Sequence, residues 1–275
     1  MTLRSTLPLA VLFLAAGCTP VEDKEEPAPP PAEEAADEAP VTMADPPAPG
    51  ARPTAVRMVE ENDLFDFEAS WPVEAAAEPL LDARFREQAV ASKAEIRRMA
   101  EDEKKMRDEN GLVFHGLSTS TVWTTAGQSE RLLSLSGEAS SYTGGAHPNY
   151  GAVSILWDRE QDKEVTMRAL FGRNASLDGA LREEFCRKLD AERDNRRGGV
   201  EIDGTFGECP DISSDIVVVP TDADGNGKFE RLMLIASPYV AGSYAEGSYE
   251  IVLPMTQARL AAVNEMYRPS FEAMR

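Results

Sequence analysis

The chain has 275 residues, with 48 acidic and 28 basic side chains and a formal charge of -20. That balance disfavours nucleic acid as a partner, because a phosphate backbone attracts the opposite sign. It suits a cationic protein partner, although plain solubility produces the same composition.

The first residues, MTLRSTLPLAVLFLAAGCTP, place one charge (Arg4) before a short apolar run from Leu7 to Ala16 and the small residues Ala15-Ala16-Gly17. This is the order of a secretory signal, and the run is shorter than the ~20 apolar residues a membrane span needs. Residues 1–17 are therefore expected to be a leader. Cys18, directly after Ala-Ala-Gly, resembles the lipidated cysteine of bacterial lipoproteins; an ordinary leader with an incidental cysteine is the alternative. Acylation would anchor the chain to a lipid bilayer. Lipoproteins kept in the inner membrane tend to carry Asp after this cysteine. Thr19 stands there instead, which implies the cell envelope's outer membrane, facing the periplasm. Residues 18–63 are rich in Pro, Ala and Glu and nearly lack large apolar side chains, so they read as a disordered, semi-extended tether.

From Leu64 to Arg275 aromatic and aliphatic residues return, enough for one sizeable core or two small lobes. Phe65 to Ala69 alternates and starts a strand that Trp71-Pro72 breaks. A long helix is expected over Pro79–Asn110, with Leu81, Phe85, Ala89, Ser92, Ile96, Met99 and Met106 on one face and charges on the other. Strands follow at Val113–Trp123, Arg131–Gly137 (alternating less cleanly) and Gly151–Trp157. Ser176 can cap a second helix carrying Leu177, Leu181, Phe185 and Leu189. Asp215–Val219 and Phe229–Ala236 read as a hairpin, Tyr249–Leu253 as a strand, and Thr256–Tyr267 as a last helix. The expected fold for residues 64–275 is α+β, a largely antiparallel sheet packed by one long N-terminal helix and two shorter helices.

With Cys18 taken by lipid, Cys186 and Cys209 remain, an even pair in an oxidising compartment, and a disulfide between them is expected. A zinc site would need further ligands, and neither histidine lies near them in sequence.

Two segments are candidates for ligand binding. In Ser141–Tyr150, Gly144-Gly145 permits a sharp turn around which Tyr142, His147, Asn149 and Tyr150 crowd. A ligand-facing loop with a titratable histidine is one reading; a structural turn whose His and Tyr bond to backbone is the other. In Tyr239–Tyr249, tyrosines alternate with small residues, and Tyr239, Tyr244 and Glu246 read either as a binding surface or as a bend packed on a sheet. Asp222-Ala-Asp224-Gly-Asn226-Gly227 matches the first half of a calcium loop. Met233, however, stands at the twelfth position, where a bidentate Glu belongs, and Asn-Gly is also a hairpin turn. No metal or cofactor is expected. No Gly-x-Ser-x-Gly is present, and no catalytic residue can be nominated.

The string Tyr142-Thr-Gly-Gly-Ala-His147-Pro-Asn149, followed by the strand Val153–Trp157, a polar turn and Met167–Phe171, resembles the extracytoplasmic domain of lysozyme-sensing anti-sigma factors of the RsiV type. The same module precedes the catalytic domain of PdaC-type peptidoglycan deacetylases. Pro238 to Pro254 is similar to the family's C-terminal segment. The resemblance implies an α+β domain acting outside the membrane, with lysozyme binding in the sensor members. The chain departs from both relatives: no apolar run reaches membrane-spanning length, and no stretch like Thr-Phe-Asp-Asp-Gly-Pro is present. The expected function is thus a non-catalytic, membrane-anchored envelope lipoprotein that binds a cationic protein such as lysozyme, or peptidoglycan. A peptidoglycan-modifying hydrolase or deacetylase of unfamiliar type is the alternative.

Overall fold

The computed structural model describes residues 52–171, 177–200, 204 and 206–274. The expected leader, Cys18, most of the tether and the Ser176 cap lie outside them. The architecture is α+β, in two sheets rather than one.

The first sheet starts earlier than composition suggests. Strand β1 (Val56–Glu61) pairs antiparallel with β2 (Phe65–Trp71), so the last residues assigned to the tether are folded. Val56 and Met58 point inward and Arg57 outward. Two apolar residues against a Pro/Ala/Glu background are a weak signal, and their strand holds only because β2 supplies its partner. Asn62 closes the turn, its Oδ1 accepting the backbone N–H of Leu64 and Phe65 at 2.9 and 3.1 Å.

A short helix α1 (Val73–Ala76) leads into α2 (Pro79–Glu109), 31 residues with proline in its first turn. It buries Leu81, Phe85, Ala89, Ile96 and Ala100. Met106, expected on the same stripe, is exposed, beyond Ala100, the last residue the helix buries. Helix α2 is the crossover between β2 and a parallel neighbour, β3 (Leu117–Gln128). The expected strand start at Val113 is too early: Gly116 has φ +72° and the ladder begins after it. Strands β4 (Leu132–Tyr142), β5 (Asn149–Asp158) and β6 (Lys163–Glu164) continue as an antiparallel meander.

The imperfect alternation of β4 has a physical cause. Leu133 and Leu135 join α2 and β2 in one core, while Leu132 on the opposite face joins a second core. Ile155 and Leu156 of β5 divide in the same way. A strand covered on both faces loses its period-two signature.

The second core lies under helices α3 (Met167–Leu170), α4 (Leu177–Arg197), α5 (Ile212–Asp215) and α6 (Gln257–Ala262), and the antiparallel sheet β7 (Val217–Thr221), β8 (Arg231–Ala236), β9 (Tyr249–Pro254). Leu181, Phe185 and Leu189 of α4 pack on Leu232, Leu234 and Leu253. Helix α6 is shorter than the expected Thr256–Tyr267; a 3-10 turn over Arg268–Ser270 follows it. Cys186 and Cys209 form the expected disulfide. No described helix is long and apolar enough to cross a membrane.

Candidate functional site

The two segments singled out in the sequence meet in space. The β4–β5 loop turns at Gly144 (φ +91°), whose Cβ position would lie 3.5 Å from Arg107 Nη2 at the end of α2. Gly145 has no positive φ and open space around it, so Gly144 alone carries the turn. His147 follows, partly exposed. Its Nδ1 lies 2.9 Å from the Pro148 carbonyl oxygen. A carbonyl only accepts, so Nδ1 carries the proton, and in the neutral ring Nε2 accepts from the Tyr239 hydroxyl 3.4 Å away. The imidazole stacks on Tyr244 at 3.8 Å between centroids. Tyr150 meets Tyr244 edge-on at 5.7 Å, and Tyr239 lies 5.9 Å from it. One histidine and three tyrosines thus form a continuous aromatic surface, with the Tyr150 and Tyr239 contacts to Tyr244 at the separations aromatic pairs favour.

Tyr239 reaches this surface through an unfavourable backbone. Its φ is +71°, and its side chain remains 52 % exposed. A bulky residue in this region is held there at a cost, a pattern concentrated at functional positions. The Tyr239 N–H bonds to the Gly242 carbonyl at 3.0 Å.

Beneath the surface, Glu246 fixes the Tyr244 turn. Its Oε1 accepts from the Ser243 N–H (2.8 Å) and hydroxyl (3.0 Å), completing a capping box. Its Oε2 accepts from Arg197 Nε at 2.8 Å and from the Tyr249 hydroxyl. Burial pushes the carboxyl up, but the Tyr249, Arg197 and Ser243 hydrogen bonds together hold it at about 2. Both oxygens are engaged inside the protein, so Glu246 supports the surface from below. Helix α4 supplies the rest of the frame. Arg193 donates to the Ala241, Gly207 and Glu208 carbonyls, and Arg196 donates to those of Glu246 and Ser248. Ser237 Oγ accepts the Ala152 N–H at 3.0 Å, linking this segment to β5.

The remaining nominated residues lie elsewhere. Asn149 is exposed and pairs with Ser141 in the sheet. Tyr142 faces a separate groove of about 610 Å³, which it lines together with His115, His147, Asp63, Asp66 and Phe114. Sequence reading singled out neither aspartate, because each sits at a turn or strand end whose partner lies far along the chain.

The hairpin loop between β7 and β8 gathers Asp222, Asp224 and Glu230, one oxygen of each within 4.8 Å of the others. These are the residues that can hold a cation. The sequence test looked to the twelfth position and Met233; Glu230, three residues earlier, was the one to inspect. Backbone amides occupy these carboxylates here: Asp222 accepts from the N–H groups of Gly225, Asn226 and Gly227, and Glu230 from Ala223.

The fold is α+β in two sheets, and it presents an aromatic surface with a hydrogen-bonding histidine. Residues 58–150, from β1 through the histidine loop to the start of β5, match the family described as Deacetylase PdaC. That match is the relationship its Tyr-Thr-Gly-Gly-Ala-His string suggested. A DUF3298 family protein from Bacteroides fragilis has a similar fold, with TM-score 0.54 and 13 % identity, covering 78 % of this chain and 95 % of that one. A DUF3298 family protein from Pseudomonas aeruginosa aligns with TM-score 0.48 and 18 % identity, covering 81 % of this chain and 98 % of that one. No curated protein matches.

Proposed function

We propose that this chain is a non-catalytic recognition module of the cell envelope, anchored through acylated Cys18 and held off the bilayer by its acidic tether. The partner we favour is a cationic protein of the lysozyme type, and the alternative ligand is peptidoglycan. The observation that carries this reading is the convergence of His147 and Tyr150 with Tyr239 and Tyr244 on one partly exposed surface. Tyrosine supplies large contact area at low entropic cost, and its hydroxyl adds hydrogen bonding. The strained Tyr239 backbone and the formal charge of -20 support the same reading.

Calorimetry of the full chain with lysozyme and with soluble peptidoglycan fragments tests it. Saturable binding of either, without release of new products, is the expected result. Cleaved or deacetylated product would overturn it. The anchor has its own test: fatty-acid labelling is expected for the natural chain and is lost in Cys18→Ala.

A further inference from the structure

The histidine loop has a second side. Its far face, with the β1–β2 turn and the segment before β3, walls the groove of about 610 Å³. Asp63 stands at the tip of the turn and Asp66 on the exposed face of β2. Among the described residues neither carboxylate is engaged by an ion pair or side-chain hydrogen bond. That sets them apart from Glu60 nearby, which is held by Lys93 and Arg97. Arg107, at the α2 end of the same loop, is also occupied, by Glu103 and the Val113 carbonyl. Phe114 and Tyr142 line the groove beside the free carboxylates. Leu112 and Val113, which lead into Phe114, are 53 % and 67 % exposed.

Unpaired carboxylates beside aromatic rings and aliphatic surface form a receptor for a side chain that is apolar along its stem and cationic at its tip. We infer that this groove is a cation-recognition subsite that takes a lysine or arginine side chain from a basic protein segment. The inference rests on the reading that the module binds a cationic protein, and it names where the positive charge is received.

The chain contains two histidines, and both line the groove; His147 also belongs to the tyrosine surface, so the His115 ring protons are the ones that report on the groove specifically. The full chain would be titrated with an octalysine peptide at low salt and followed by NMR of the histidine rings. The paired variant Asp63→Asn/Asp66→Asn is compared with Glu250→Gln/Glu265→Gln, a control pair that is exposed and lies outside the groove. The expected result is saturable shifts of both rings, an affinity about tenfold weaker in the aspartate variant, and none of that loss in the control. Tenfold is what two solvent-facing ion pairs near the top of their usual range supply. Equal affinity in the aspartate variant, equal loss in the control, or an unmoved His115 ring would overturn the subsite. The tyrosine surface would then stand or fall separately, on lysozyme and peptidoglycan binding.

Discussion

The two halves of the aromatic surface are held in opposite ways. The Tyr244 turn rests on Glu246, whose carboxylate is bonded by Ser243, Arg197 and Tyr249, and Arg193 and Arg196 fasten the flanking carbonyls. The His147 loop is held by one bond to its own backbone, one contact to Tyr239 and ring stacking. A fixed platform faces an adjustable finger. On the proposed recognition reading, the platform would keep a partner's register while the finger adapts.

Glu246→Ala should break this comparison most severely. It leaves the buried Arg197 guanidinium without its counter-charge and three donors without an acceptor, at a cost of about 3–5 kcal/mol in chemical denaturation. A loss under 1 kcal/mol would show that the platform does not depend on this residue. Breaking the Cys186–Cys209 bond, by reduction or paired Cys→Ser, should cost about 3 kcal/mol on the chain-entropy account. It releases the Gly207–Glu208 segment that Arg193 holds, so melting of the β7–β9 half should fall by more than that of the α2 half.

Acid sharpens the contrast. The folded Glu246 carboxyl sits at about 2, below its ordinary 4.5, so its contribution is present above 4.5 and is lost as pH falls through about 2. The stability gap between the natural chain and Glu246→Gln should shrink steadily from pH 5 to about 2. A gap that widens would reverse the sign of the argument. The smallest stability effect belongs to the finger: His147→Ala should change unfolding free energy by less than about 1 kcal/mol, since it removes one partly exposed stack.

Much of this was legible in the chain. Period-three-and-four spacing gave α2, alternation gave β2 and β9, and cysteine arithmetic gave the disulfide. Both aromatic segments could be singled out from their glycines and tyrosines. Their meeting could not, because His147 and Tyr239 are brought together by sheet register and by the Ser237–Ala152 bond, neither of which leaves a local pattern. Glu246 read as a ligand-facing residue although Ser243-x-x-Glu246 spells a local capping box; what the sequence hides is Arg197, 49 residues away along the chain, which ties up the second carboxylate oxygen. The two-sheet arrangement was hidden for a related reason: β4 and β5 separate two cores, and burial on both faces erases alternation. Strand β1 was lost in the composition of the tether, whose Pro, Ala and Glu outweigh Val56 and Met58.

The central claim is that the His147–Tyr239–Tyr244 surface recognises a ligand. The most direct test is a binding isotherm for lysozyme beside a melting curve, measured on the natural chain, His147→Ala and Tyr239→Ala. The account predicts at least about tenfold weaker binding in each variant, the effect of truncating an aromatic anchor, with melting nearly unchanged. Unchanged affinity, or an affinity loss matched by loss of stability, would contradict it.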